Sequence, residues 1–219
     1  YLREEVQLEA NVRNLGQFSR FLEVAALNTA QTINYANVAN DAQVPASTVR
    51  DYFQLLDDTL LGQILPAFTK TSKRKAQTSG KFFFFDVGVG NALRRVAGLQ
   101  QGHAAYGPSF ENFVYCELRA MVAYHAPRAR LSFWRSLSKL EVDFVIEAPN
   151  RSIVAIEVKA SKQVSESDLK GLRAFREDFA DAACFVVSEE AHRRTTSDEI
   201  GIGPVLSMID EIRKVLAVV

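Results

Sequence analysis

Apolar and polar positions alternate in two different ways along this chain. From residue 11 to about 65 the apolar residues recur at helical spacing. Phe18, Phe21, Leu22, Ala25 and Ala26 predict a first helix over about 14–28. Asn34 is placed to cap a short second helix carrying Tyr35, Val38 and Ala39. Pro45 suits the first turn of a third helix, whose buried stripe is Val49, Tyr52, Phe53 and Leu56. Two strands follow, Leu60 to Phe68 and Gly80 to Asp86, joined by the basic stretch Lys70-Thr71-Ser72-Lys73-Arg74-Lys75.

A short helix, a tight turn, a longer helix and two strands around a basic loop predict a winged helix-turn-helix domain. Used on DNA, it would place the third helix, with Arg50, in the major groove and set Lys73, Arg74 and Lys75 on phosphates. The third helix also carries Asp51, Asp57 and Asp58, the wrong sign for phosphate contacts. The alternative is a winged helix used for packing or as an interdomain module.

Beyond about residue 100 helices and strands mix. Pro108 to His125 reads as a long amphipathic helix and Leu131 to Arg135 as a strand. A helix from Glu166 to Phe179, a buried strand from Ala183 to Val187 and a last helix from about Pro204 to Leu216 come later. With the Gly- and Gln-bearing stretch Gly98 to Gly107 as linker, the expected domains are 1–98 and 99–219. The second is an α/β/α sandwich with a mixed central sheet, so the fold class is α/β (α+β).

Between those elements lie two period-two stretches, Leu140 to Ile146 and Val154 to Lys159, separated by the turn-like Ala148-Pro149-Asn150-Arg151-Ser152. A hairpin symmetric about Asn150 sets Asp143 opposite Glu157 and Glu141 opposite Lys159, all on one side of the sheet. Two facing carboxylates are unfavourable by up to about 1 kcal/mol unless something positive sits between them. A divalent cation is one solution, since Mg²⁺ is often held by one or two carboxylates plus substrate phosphates. The other is a cross-strand Glu141–Lys159 ion pair with Asp143 and Glu157 hydrated at the sheet edge.

Composition narrows the partners. Formal net charge is zero, so nucleic acid or membrane binding needs a local patch rather than bulk charge. Cys116 and Cys184 stand in apolar contexts and read as reduced thiols of a cytoplasmic protein. No stretch is long and apolar enough to span a bilayer, and no phosphate-cradling G-x-x-x-x-G-K-[ST] occurs, so no nucleotide site is expected. His103, His125 and His192 lack ligand spacing, and Ser109, Ser132 and Ser136 lack a nucleophile-elbow signature.

Glu111 projects along the line of Leu118 and Val122 on the long helix, within an apolar stripe where Glu is rarely found unpaired. It reads equally as a third carboxylate aimed at the sheet or as a Glu favoured by a helix start. A helix bearing Glu111, then Asp143, then Glu157-Val158-Lys159 resembles the PD-(D/E)XK nuclease superfamily, with Val142 where that superfamily usually has Pro. The resemblance implies catalytic roles for Asp143, Glu157, Lys159 and Glu111. It implies Mg²⁺ or Mn²⁺ held by Asp143, Glu157 and the carbonyl of Val158, and it implies DNA as substrate. Arg135 is placed either to reach a phosphate or to neutralise Glu141, and Gln163 to contact site or substrate.

A wider resemblance runs along most of the chain: Tyr1 to Val6, Lys81 to Gly90, Gly107-Pro-Ser-Phe-Glu111-Asn112, Trp134-Arg135, Glu141-Val-Asp143 and Ile156 to Ala160. In that order they are similar to the C-terminal region, a domain of unknown function, of a group of bacterial and archaeal predicted AAA+ ATPases. This implies a fragment that partners an ATPase module N-terminal to Tyr1 in the same full-length protein. Two functions follow: metal-dependent DNA cleavage coupled to that ATPase, or an inactive module that binds DNA or protein and regulates it.

Overall fold

The computed structural model describes residues 14–217; the opening run Tyr1 to Val6 lies outside the described residues. The chain divides into two compact units. Among the described residues, the first takes in those up to Ile64 and Ser79–Asn112, and the second Leu65–Thr78 and those from Phe113 on, so the units interleave along the chain.

In the first unit, α1 (Leu15–Leu27) is capped by Asn14, whose side chain accepts the Gln17 amide at 3.1 Å. A two-residue strand, β1 (Gln31–Thr32), leads to α2 (Tyr35–Ala42), and the Asn34 side chain accepts the amides of Ala36 and Asn37. After a left-handed turn at Gln43 comes α3 (Ala46–Asp58), then β2 (Gly62–Leu65) and β3 (Lys81–Phe84). The three strands form a small sheet in the order β1-β3-β2. The predicted helical stripes, Phe18 and Phe21 from α1 with Val49 and Phe53 from α3, close over Phe82 and Phe84 as one aromatic core. An unforeseen short helix, α4 (Val87–Leu93), starts where the Asp86 carboxylate accepts the Val89 amide at 2.9 Å.

The strand expected over Leu60 to Phe68 is cut short. Pro66 has no amide to donate, which suits the end of a strand, and its carbonyl instead accepts Phe133 N–H at 3.1 Å in the second unit. From there residues 66–77 run along the outer edge of that unit's first strand. Phe68 N–H bonds Phe133 O, Gln77 N–H bonds Arg135 O, and Leu137 N–H bonds Lys75 O. The basic stretch expected as a free wing is therefore an edge cover, which blocks pairing with another chain. Two of its charges, and its backbone, are matched locally. Lys70 pairs with Glu147 at 2.6 Å and Arg74 with Glu177 at 2.7 Å, while Asp178 accepts the Ser72 and Lys73 amides.

The boundary between units falls within α5 (Tyr106–His125), after Asn112. The second unit then adds β4 (Arg130–Arg135), β5 (Glu141–Glu147), β6 (Ile153–Lys159) and a 3₁₀ turn over Glu166–Leu169 running into α6 (Lys170–Arg176). It ends with β7 (Ala183–Ser188), β8 (Arg194–Thr195), β9 (Ile200–Pro204) and α7 (Val205–Ala217). The sheet order is β4-β5-β6-β7-β9-β8. Pairings β4–β5, β5–β6 and β8–β9 are antiparallel, and β6–β7 and β7–β9 parallel, so the sheet is mixed as expected.

Helix α6 packs on β5 and β6, and α7 on β7 and β9. Gly171 lets α6 approach: a Cβ there would stand 1.8 Å from the Glu141 carbonyl oxygen. Strand β9, Ile-Gly-Ile-Gly-Pro, carries glycines that lower strand propensity. Packing overrides that: Gly201 lies under the Phe185 ring and Gly203 against the Arg193 backbone.

Candidate active site

The β5–β6 hairpin has the register that its alternation predicts. Phe144 pairs with Ile156, Val145 with Ala155 and Ile146 with Val154, which brings Asp143 opposite Glu157 at the next step. On its other side β5 carries an irregularity with no sequence signal. Ser132 pairs with Val145 and Trp134 with Val142, so Asp143 and Phe144 together oppose Phe133 alone. Such a bulge bends the strand and re-aims the side chain it holds. Here the side chain is Asp143.

Both carboxylates are buried, Asp143 at 7% and Glu157 at 6% exposure. Asp143 Oδ2 accepts the Val158 amide at 2.8 Å. Glu157 Oε1 meets Lys159 Nζ at 2.7 Å, two residues along the same strand, whereas Glu157 Oε2 is buried with no hydrogen-bond partner. Burial, then the charge of Asp143, pushes the Glu157 carboxyl well above the usual range, and Lys159 only partly opposes this. Burial alone would lower the Lys159 ammonium, but Glu157 outweighs it with help from Asp143 and Asp168, and the lysine is held up in its charged form.

Asp168 is the residue that sequence reasoning missed. Ser165-Glu166-Ser167-Asp168 is a capping box: the Ser165 amide and hydroxyl both bond Asp168 Oδ2, at 2.9 and 2.7 Å. The S-x-x-D string was a legible helix-start signal. That it would bring a carboxylate towards Lys159 was not.

The remaining candidates have surroundings of their own. Glu111, read either as a third carboxylate or as a helix-start Glu, accepts a hydrogen bond from Lys81 Nζ at 2.8 Å within the first unit. Lys81 is only 2% exposed, so the ion pair is largely dry. Among the described residues no group of three or more His, Cys, Asp or Glu side chains is placed to hold a metal ion. Arg135 Nε stands 3.5 Å from Glu141 Oε2, the neutralising one of its two expected roles. Gln163 is exposed in the loop after β6, its backbone tied to the Ser161 hydroxyl. Arg50 lies over the Tyr35 ring at 4.2 Å. Lys73, Arg74 and Lys75 belong to the edge cover of the second unit.

Asp143, Glu157 and the Val158 backbone thus converge at one point of the hairpin. Two buried acids face each other, and one oxygen is left without a donor. A carboxylate oxygen buried without a donor, a condition it shares with Asp178 Oδ2, calls for a physical reason. A divalent cation fits this donor set: hard oxygen ligands, too few to saturate it, leave positions for water or substrate oxygens.

Neither cysteine is in a disulfide; Cys184 is buried and Cys116 half-buried. No helix among the described residues is long and apolar enough to cross a membrane. Among solved structures, the chain is similar to a chain of the Thermococcus gammatolerans assembly of McrB AAA+ hexamers with bound McrC. Identity is 10%, coverage 90% of this chain and 75% of that one, and the TM-score 0.33. No curated protein matches. Residues 1–100 match the family model Domain of unknown function (DUF8612), and residues 106–207 match Domain of unknown function (DUF4143).

Proposed function

We propose that the second unit is a PD-(D/E)XK-type, metal-dependent DNA nuclease domain, joined to a winged helix and working beside an AAA+ ATPase module. The observation that carries this reading is Glu157 Oε2, a carboxylate oxygen buried beside Asp143 with no donor. Two facing buried acids are costly unless a cation or a shared proton joins them, and a divalent cation would take up the oxygen that Lys159 leaves. Asp143, Glu157 and the Val158 carbonyl would hold Mg²⁺ or Mn²⁺, which when bound acts as Lewis acid and lowers the pKa of a ligated water.

The chain's own residues do the rest. The Asp143–Val158 hydrogen bond fixes one carboxylate against the strand carrying the other. Lys159, held charged beside Glu157, is placed to orient an attacking water and to stabilise charge developing on a phosphate. Asp168 adds, after Glu157 and Asp143, to the field that keeps Lys159 charged.

The test is cleavage of plasmid and single-stranded DNA with Mg²⁺ or Mn²⁺, comparing the wild type with Asp143→Ala and Lys159→Ala, alongside calorimetric metal titration. Metal binding lost in Asp143→Ala, with cleavage lost in both variants, is the expected result. Absence of any metal binding by the wild type sinks the reading. A second function, a non-catalytic module that regulates the ATPase, is favoured by one observation. Lys159 is closed onto Glu157, as it would be if their pairing were the end state. Metal binding without cleavage on any DNA form would select it.

A further inference from the structure

A second charged cluster lies at the opposite end of the same hairpin. There β5 ends at Glu147, four residues beyond Asp143 and about 13 Å away at the usual strand rise. A cavity of about 300 Å³ opens there, lined by Lys70, Arg128, Arg130, Glu147, Ala148, Pro149 and Arg151. Four cations and one carboxylate share it. Arg130 faces Glu147 in the β4–β5 register, yet both Glu147 oxygens go to Lys70 Nζ, at 2.6 and 2.7 Å. Arg128, Arg130 and Arg151 have no side-chain partner among the described residues. The turn fixes the backbone of one of them. Asn150 Oδ1 accepts the Ser152 amide and hydroxyl, and Arg151 is held at φ 70°, a left-handed backbone uncommon for a non-glycine residue.

Like charges gathered round one concavity repel, and the usual remedy is an acidic neighbour. Here the single acid is already engaged. Guanidinium groups match phosphate oxygens in a planar fork, so three uncommitted arginines around a cavity of this size suit one phosphate group. Nothing in the lining stacks on a base: there is no aromatic ring, only Ala148 and Pro149 between the charges. Recognition would therefore reach the anion and not the base. All three arginines are exposed, so a phosphate on a polymer backbone can reach them from solvent.

We infer that this cavity, through Arg128, Arg130 and Arg151, holds a backbone phosphate of DNA, as a sequence-independent anchor for the strand presented to the Asp143–Glu157 site. The inference rests on the nuclease reading for the identity of the polymer. The 13 Å separation corresponds to about four base-pair rises, within reach of one bound duplex.

The experiment measures affinity of the full chain for a short duplex of arbitrary sequence, in chelator and over a range of salt. Inorganic phosphate serves as competitor. Each of Arg128→Ala, Arg130→Ala and Arg151→Ala should weaken binding several-fold, irrespective of sequence, and replacing all three should reduce the magnitude of the slope of log K against log salt by about 0.9, the value for one phosphate. Arg213→Ala, which removes a surface cation already paired with Asp210, serves as control and should leave the slope unchanged. Circular dichroism checks that each variant folds, and Arg→Gln replaces Arg→Ala where one does not. An unchanged slope and affinity in all three arginine variants overturns the inference, as does phosphate competition without any arginine dependence on DNA. Metal titration and cleavage, run separately, distinguish the two readings. Arginine-dependent DNA binding without metal binding leaves the anchor standing and removes the nuclease.

Discussion

Asp143 Oδ2 accepts the Val158 amide at 2.8 Å, so a side-chain carboxylate bonds the neighbouring strand next to the last backbone-paired step of the β5–β6 hairpin. The carboxylate is thereby fixed within the sheet, beside a buried glutamate that lacks a second donor. Asn and Ala at position 143 should then behave differently. Asp143→Asn keeps an acceptor for Val158 and removes the repulsion, so in chelator it should be as stable as the wild type or more stable by up to about 1 kcal/mol. Asp143→Ala leaves the Val158 amide without its side-chain acceptor and should cost about 1–3 kcal/mol. Thermal unfolding with and without Mn²⁺ checks both, and only the wild type should gain from the metal.

Glu111 makes a contrasting case, because its ion pair with Lys81 belongs to the first unit. Removing one partner of a buried pair strands the other. Glu111→Ala should destabilise the protein by about 3 kcal/mol while leaving metal affinity at the Asp143–Glu157 site unaltered. Urea unfolding and calorimetric metal titration on the same variant read the two effects separately. Loss of metal binding in a folded Glu111→Ala protein would assign Glu111 the third-carboxylate role instead.

Phe68 comes from the N-terminal half of the sequence yet packs edge-on against Phe175 and Phe179, in the core of the second unit. Phe68→Ala should cost about 3–5 kcal/mol. The loss should appear as faster hydrogen exchange in α6 and β4, with α1 and α3 of the first unit little affected.

Burial, opposed only in part by Arg176, pushes the Cys184 thiol up to about 11. At pH 8 its thiolate is on the order of one part in a thousand, so alkylation should be slow until the chain unfolds. The sign for stability follows. The unfolded thiol releases its proton near its ordinary value of about 8.5 while the folded one holds it, so stability falls as pH rises from there towards 11. Cys184→Ala should flatten that alkaline decline. Mass-resolved labelling at pH 8, with half-buried Cys116 as the internal comparison, tests the first point; pH-dependent urea midpoints test the second.

Much of this molecule was legible locally. The stripe Phe18, Phe21, Leu22, Ala25 and Ala26 is the buried face of α1, and Asn34 caps α2 as its position suggests. Period-two alternation about Asn150 gave the register that sets Asp143 against Glu157, because a slip of one residue would turn every apolar side chain to the wrong face. These features depend on neighbours a few residues apart, and the chain's own periodicities encode them.

Tertiary structure alone decided the rest. Lys81, in an apolar run, reads as a strand-end lysine until Glu111 arrives from 30 residues away to pair with it. Lys73, Arg74 and Lys75 read as a wing until Glu177 and Asp178, some hundred residues on, bind that loop to a different unit. The bulge at Asp143 and Phe144 exists only because β4 is one residue shorter across that interval. The glycines of β9 make a strand only beneath Phe185 and beside Arg193. In each case the deciding partner is distant in sequence, and no local pattern can say which distant residue will supply the charge, the ring or the backbone atom.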